Sequence, residues 1–123
     1  MAYTARGTLV YESICRMEFY RAAGGGYDKP SSELYFPGKP PLKVTITAFY
    51  EVPASASKTM RAEMLSGKRR PTKKPDADNI GKIIMDALNE VAYHDDAQVV
   101  ELLVEKRWAE LNSARIRIEE LPQ

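Results

Sequence analysis

The stretch KPDADNIGKIIMDALNEVAYHDD, residues 74 to 96, decides how this chain is read. Ile80, Ile83, Ile84, Ala87, Leu88 and Val91 recur at i, i+3, i+4, i+7, i+8 and i+11, the spacing of a single apolar helix face that must be buried. With each residue turning about 100°, Asp78, Lys82, Asp86 and Asn89 take the opposite, solvent side. Pro75 biases the residue before it toward extended backbone, so Asp76 and Asp78 come at or just before the helix start. Carboxylates there cap free N–H groups and meet the positive end of the helix dipole. Asp95 and Asp96 follow shortly after the other end. The spacing thus predicts one short helix with acidic side chains at both ends and a lysine between them.

Each of these residues also has a structural reading. An aspartate near a helix start is commonly a cap, Lys82 four residues after Asp78 forms an ordinary i,i+4 ion pair, and paired aspartates belong in turns. Their joint occurrence points further, because carboxylates gathered in one place repel and raise each other's pKa unless a cation neutralises them. With oxygen donors and only His94 nearby as a softer ligand, such a group suits Mg²⁺ or Mn²⁺ better than zinc.

Immediately before the acidic motif, Lys68, Arg69, Arg70, Lys73 and Lys74 fill five of seven consecutive positions, although the formal net charge of the chain is only +1. A basic run beside an acidic site draws in a polyanion and holds its backbone. A solvated loop is the structural alternative.

Working outward, Leu42, Val44, Ile46, Ala48 and Tyr50 alternate with Lys43, Thr45 and Thr47 as a half-buried strand, ended by Pro53. Ser57 and Gly67 bracket a short helix, KTMRAEMLSG, as cap and terminator. Val100, Leu102, Val104 and Trp108 give a second strand and Ala114, Ile116 and Ile118 a third; the short turn Leu111, Asn112, Ser113 between them predicts an antiparallel pair. Trp108 suits either a core edge or a surface on which a base stacks. Residues 4 to 22 read as a first helix with Val10, Ile14 and Met17 on one side, weakened at Gly7. Gly24 to Gly26 and Pro30, Pro37, Pro40 and Pro41 mark a long irregular connection. The 123 residues therefore predict a single small α+β domain, residues 1 to 123, with a mixed or antiparallel sheet of three or more strands packed with two to three helices. The lone Cys15 excludes an internal disulfide and reads as a buried hydrophobe. No apolar run is long enough for a membrane span and no signal pattern is present, which predicts a cytoplasmic protein.

The run KKPDADN, then Lys82, then DALN, then HDDAQVVEL and the following KRW resembles the RusA family of Holliday junction resolvases. The likeness is dense over residues 71 to 108 and looser over 42 to 66. It implies a small homodimeric Mg²⁺-dependent endodeoxyribonuclease, with Mn²⁺ able to substitute, acting on four-way or branched DNA in recombination and repair and often encoded by prophages. Carried over by position, it implies that Asp76, Asp78 and Asp96 are the essential acidic residues and Lys82 the important lysine, with Asp86 and Asp95 secondary. On that basis the three aspartates are expected to hold the ion and Lys82 to offset phosphoryl charge as a water attacks. Lys68, Arg69, Arg70, Lys73 and Lys74 are the expected DNA contacts. The chain is expected to lack the edge strand and the basic, Pro- and Gly-containing segment that in such proteins precede the region starting here at Ala2-Tyr3-Thr4, and Tyr35, Phe36 and Phe49 are candidates for a subunit interface. Two alternatives stay open: a branched-DNA-binding module that no longer cuts, and a small interaction protein whose acidic helix face is only solvated surface.

Overall fold

The computed structural model describes residues 2–6, 36 and 38–122. Strand β2, Leu42–Glu51, is the centre of the fold, and its two-residue period decides what it does. Leu42, Val44, Ile46, Ala48 and Tyr50 are all buried, while the residues between them are half-buried. Strand β3, Val99–Ala109, pairs with β2 in parallel on one side; β4, Ser113–Glu120, pairs with it antiparallel on the other. Strand β1, Ala2–Arg6, adds antiparallel to the far side of β4, giving the order β1-β4-β2-β3. The class is α+β, with a mixed four-stranded sheet and, among the described residues, two α-helices.

A parallel pair cannot be closed by a tight turn and needs a long crossover. Between β2 and β3 the chain builds two helices, α1 (Lys58–Leu65) and α2 (Ala77–Leu88). Helix α1 begins where the Ser57 hydroxyl accepts the Met60 N–H at 3.2 Å, and it ends at Gly67, whose φ of 85° carries the left-handed turn that closes it. Helix α2 buries Ile80, Gly81, Ile84, Ala87 and Leu88. These join Leu42, Val44 and Ile46 of β2, Ala114, Ile116 and Ile118 of β4, and Tyr3, Phe36, Ala92 and Tyr93 in one apolar cluster. Ile83 lies at the margin of that face and is half-buried.

The structure corrects three expectations. The second and third predicted strands do not pair with each other, because β2 lies between them and takes ladder bonds on both edges. The connection between β3 and β4 instead spans the end of β2, where the Asn112 side-chain oxygen accepts the Glu51 N–H at 2.8 Å and Ala109 C=O accepts the Val52 N–H at 3.0 Å. Residues 4 to 6 are strand, not helix: Tyr3 is buried between exposed Ala2 and Thr4, and the open edge of β4 supplies the partner that the local pattern could not reveal. The remainder of the predicted first helix, Cys15 and most of the Gly- and Pro-rich connection lie outside the described residues. Phe36, a candidate for a subunit interface, is 6% exposed and belongs to the core; Phe49 is half-buried, and Tyr35 lies outside the described residues.

Gly81 is where α2 meets β3 most closely: a β-carbon there would lie 3.3 Å from Cγ2 of Val104 and 3.6 Å from Cδ2 of Leu102. Gly81→Leu should therefore lower stability by about 1–3 kcal/mol through overpacking, measured as a lower urea midpoint at unchanged slope.

Candidate functional site

At the start of α2, Asp76 is the N-cap, with φ −70° and ψ 154°, and its C=O accepts the Ile80 N–H at 3.0 Å. Its side chain, however, makes no capping hydrogen bond, so the carboxylate that periodicity suggested as a cap keeps its oxygens uncommitted. Asp78 follows in the first turn. The segment before them is moored by Tyr50, whose hydroxyl donates to Pro75 C=O at 2.7 Å; burial and the Asp76 charge raise the Tyr50 pKa. One turn further, Lys82 is exposed. Among the described residues neither Asp76, Asp78, Lys82 nor Asp86 takes part in an ion pair, so the local Asp78–Lys82 pairing is not what holds this face together.

The other end of α2 closes at Asn89, the C-cap, whose N–H donates to Met85 C=O at 3.0 Å, and Glu90 turns the chain with φ of 60°. Tyr93 then re-enters the core and donates its hydroxyl to Met85 C=O at 3.1 Å. Burial raises its pKa first, and the charges of Asp96, Asp86 and Asp95 raise it further. Asp95 caps the 3₁₀ turn Asp96–Gln98: its Oδ1 accepts the Ala97 N–H at 3.1 Å. Buried Gln98 ties the turn together by accepting the His94 and Asp95 N–H groups at 2.9 and 3.1 Å and donating to Pro40 C=O at 3.0 Å.

The two adjacent aspartates are thereby made unlike. The Ala97 N–H holds the Asp95 pKa down, helped by a hydrogen bond from Asp96. That same hydrogen bond, then burial and the charges of Asp95 and Asp86, push the Asp96 pKa up. The Asn89 side-chain oxygen accepts the Asp96 N–H at 3.1 Å and fixes this residue beside the end of α2.

Twelve residues of helix separate the two ends by about 18 Å along the axis. Asp76 and Asp78 stand at the start of the helix, and Asp86, Asp95 and Asp96 lie toward its other end, where the charge of each raises the Tyr93 pKa. Among the described residues no three Asp, Glu, His or Cys side chains form a group that could hold a metal ion. The expected set of Asp76, Asp78 and Asp96 is therefore not gathered into a cage within one chain. Sequence spacing put Asp86 on the correct face but gave no sign that it, rather than Asp78, neighbours the aspartate pair. Gln98 and Asn89 were also missed, since only their hydrogen bonds reveal their part.

The match to known proteins falls on this framework: residues 2–119 fit the family described as Endodeoxyribonuclease RusA. The chain belongs to the RusA endodeoxyribonuclease family. It is also 37% identical over 83 residues to the uncharacterized protein YqaN of Bacillus subtilis (strain 168), a match covering 66% of this chain and 58% of that relative. The chain thus spans less than two thirds of the curated relative's length.

In this RusA-family chain the basic run divides in two. Lys68 and Arg69 pair with Glu63 of α1 at 3.8 and 2.5 Å. Arg70, Lys73 and Lys74 are exposed and, among the described residues, form no ion pair. Lys73 Nζ lies 5.5 Å from the ring centre of Trp108 and 5.8 Å from that of Tyr50. Lys106 reaches the same place, 5.2 Å from the Tyr50 ring, and donates to Lys73 C=O at 2.6 Å. Tyr50 and Trp108 are register partners across β2 and β3, with rings edge to face at 6.3 Å. The role of Lys106 and Tyr50 as moorings for the basic loop depends on that cross-strand pairing, which spacing alone does not supply. Among the described residues no helix is long and apolar enough to cross a membrane.

Gln98→Leu should cost about 1–3 kcal/mol, because it strips partners from the His94 and Asp95 N–H groups and from Pro40 C=O. Thermal unfolding would show the loss, and Gln98→Glu, which keeps the accepting oxygen but sets a buried carboxylate against Pro40 C=O, should be destabilising as well.

Proposed function

We propose that this chain is a structure-selective endodeoxyribonuclease that resolves Holliday junctions by Mg²⁺-dependent phosphodiester hydrolysis, in DNA recombination and repair. The observation that carries this reading is the solvent face of α2: a family motif whose Asp76, Asp78, Lys82 and Asp86 are free of ion pairs among the described residues, next to a loop with unpaired cations.

The donor chemistry suits a hard divalent ion. Asp76 and Asp78 offer carboxylate oxygens within one turn, and Mg²⁺ typically retains water and binds through one or two carboxylates together with substrate phosphate. Asp76 and Asp78 would hold it from this chain, Asp96, which the family resemblance adds, would complete the set only across two chains of a dimer, and Mn²⁺ fits the same donors. Bound there, such an ion supplies Lewis acidity and a nucleophilic water at neutral pH. Lys82, a turn beyond Asp78, would meet charge on the phosphoryl oxygens, and Arg70, Lys73 and Lys74 would hold the adjoining backbone, with Lys68 and Arg69 joining when Glu63 releases them. A prophage source and a cytoplasmic location accord with this reading.

A junction with two equivalent strands to cut calls for a two-fold dimer. We place the interface at β3, the outer strand of the described sheet, where Val100, Leu102 and Leu103 are 60%, 47% and 46% exposed. Glu101 and Glu105 precede Lys106 and Arg107 along this strand, so an antiparallel second copy is charge-complementary to it. Leu103→Asp should convert a dimer to monomer in sedimentation velocity; an unchanged species would move the interface elsewhere.

Incubation with a mobile four-way junction tests the activity directly, with paired symmetric nicks expected in Mg²⁺ and none in chelator. Asp78→Asn should abolish nicking and leave junction binding in place, and Lys82→Ala should slow it by about 100-fold. Wild-type levels of cutting by Asp78→Asn would overturn the assignment. Binding without nicking under every metal condition would instead favour the alternative, a branched-DNA-binding module. Affinity should fall steeply with salt, and each of Lys73→Ala and Lys74→Ala should reduce the log–log slope by about 1.

A further inference from the structure

Between α1, the basic loop and the end of β3 lies a hollow of about 410 Å³ lined by Met64, Arg69, Arg70, Thr72, Lys73 and Trp108. Its chemistry is divided: an indole and a thioether offer polarizable apolar surface, while three cations and a hydroxyl surround them and no carboxylate lines the wall. Lys73 Nζ stands over the Trp108 ring at 5.5 Å, so the face of that ring is turned to a cationic environment instead of being closed off in the core. Trp108 is half-buried, with Tyr50 against it edge-on. Arg69 is engaged by Glu63, but Arg70 and Lys73 have no ion pair among the described residues.

A ligand that satisfies both halves has a flat π-system joined to an anion. A nucleotide within a DNA strand is such a ligand: each base can stack on an aromatic face irrespective of sequence, and the adjoining phosphate meets the cations. We propose that this hollow receives one unstacked nucleotide of the DNA strand, its base against Trp108 and Met64 and its phosphate at Arg70 and Lys73. Arg70 also lines a second hollow of about 550 Å³ along β3 that includes Ala77, the residue between Asp76 and Asp78. This assignment rests on the DNA-acting reading above and adds a position where a base, beyond the phosphate backbone, is gripped.

Trp108 is the single tryptophan of the chain, so its emission reports on this hollow alone. The full chain, in chelator so that nothing is cut, is titrated with a single-stranded thymine oligonucleotide, with an abasic oligomer of the same length, and with a four-way junction. The thymine strand and the junction should quench the indole; the abasic strand should bind more weakly and leave emission unchanged. Trp108→Ala should weaken binding of the thymine strand about tenfold and leave the abasic strand unaffected, whereas Trp108→Phe should retain most of the affinity. Arg70→Ala, at an exposed position where folding is not at stake, should weaken both strands. Equal quenching by thymine and abasic strands, or no quenching by either, overturns the base site. Junction nicking is measured in parallel with Mg²⁺. Quenching without nicking would leave this site standing while the nuclease reading fell, and nicking without quenching would do the reverse.

Discussion

Burial of one face of α2 against the sheet is the constraint on which the rest of the molecule depends. Ile80, Ile84 and Leu88 are almost wholly buried, and each contributes about 1.5–3 kcal/mol by leaving water. Turning the helix by a single residue would drive Asp78 or Lys82 toward the apolar cluster, where an unpaired charge is far more costly than a methyl group left wet. The helix therefore has one acceptable rotation. Everything on its outer face, Asp78, Lys82 and Asp86 included, is exposed because of what the inner face requires. The same packing sets the spacing between the two acidic groups, since the helix is a rigid spacer of fixed rise.

What could be read from the sequence follows from how local each constraint is. The period of α2, the alternation of β2 and the Ser57 and Gly67 boundaries of α1 are all written within a few residues, and the structure bears them out. Strand order is not local. The three residues between β3 and β4 would suit a hairpin, but β2 has two buried edges to satisfy and takes both strands, which separates them. Strand β1 is only five residues long and precedes Gly7, too short for alternation to compete with a helical pattern further along; only the free edge of β4 identifies it. The candidate site divides in the same way. The identities of Asp76, Asp78, Lys82, Asp95 and Asp96 were legible from motif and spacing, whereas the grouping of Asp86 with the aspartate pair, and the moorings by Tyr50, Lys106 and Gln98, required the tertiary contacts.

The basic loop shows how a charged surface is kept ready without being rigid. Its backbone is held by Tyr50 at Pro75 and by Lys106 at Lys73, two hydrogen bonds that involve none of the loop's own cationic side chains. Contacts of Lys73 with the aromatic rings are worth about 0.5–1 kcal/mol at an exposed site. The pairing of Arg69 with Glu63 is a partly exposed ion pair, worth about 0–1 kcal/mol. A phosphate can therefore recruit either side chain at little energetic cost, because the path of the loop does not depend on where those cations point.

A similar separation distinguishes Asp95 from Asp96. One oxygen of Asp95 is committed to the Ala97 N–H, and its N–H is committed to Gln98, so this residue belongs to the turn. Asp96 is held through its backbone N–H on Asn89, while its carboxyl group is hydrogen bonded to Asp95 and faces the negative charge of Asp86. The hydrogen bond to Asp95 raises its pKa first, then burial and the charges of Asp95 and Asp86, while the Lys39 charge acts on Asp95. An arriving positive charge would relieve the repulsion, and Asp96 could turn toward it without disturbing the cap that shapes the turn. Of the two neighbours, Asp95 is therefore the one whose side chain shapes the turn, and Asp96, the member of the pair that the RusA resemblance singles out, is not used by that cap.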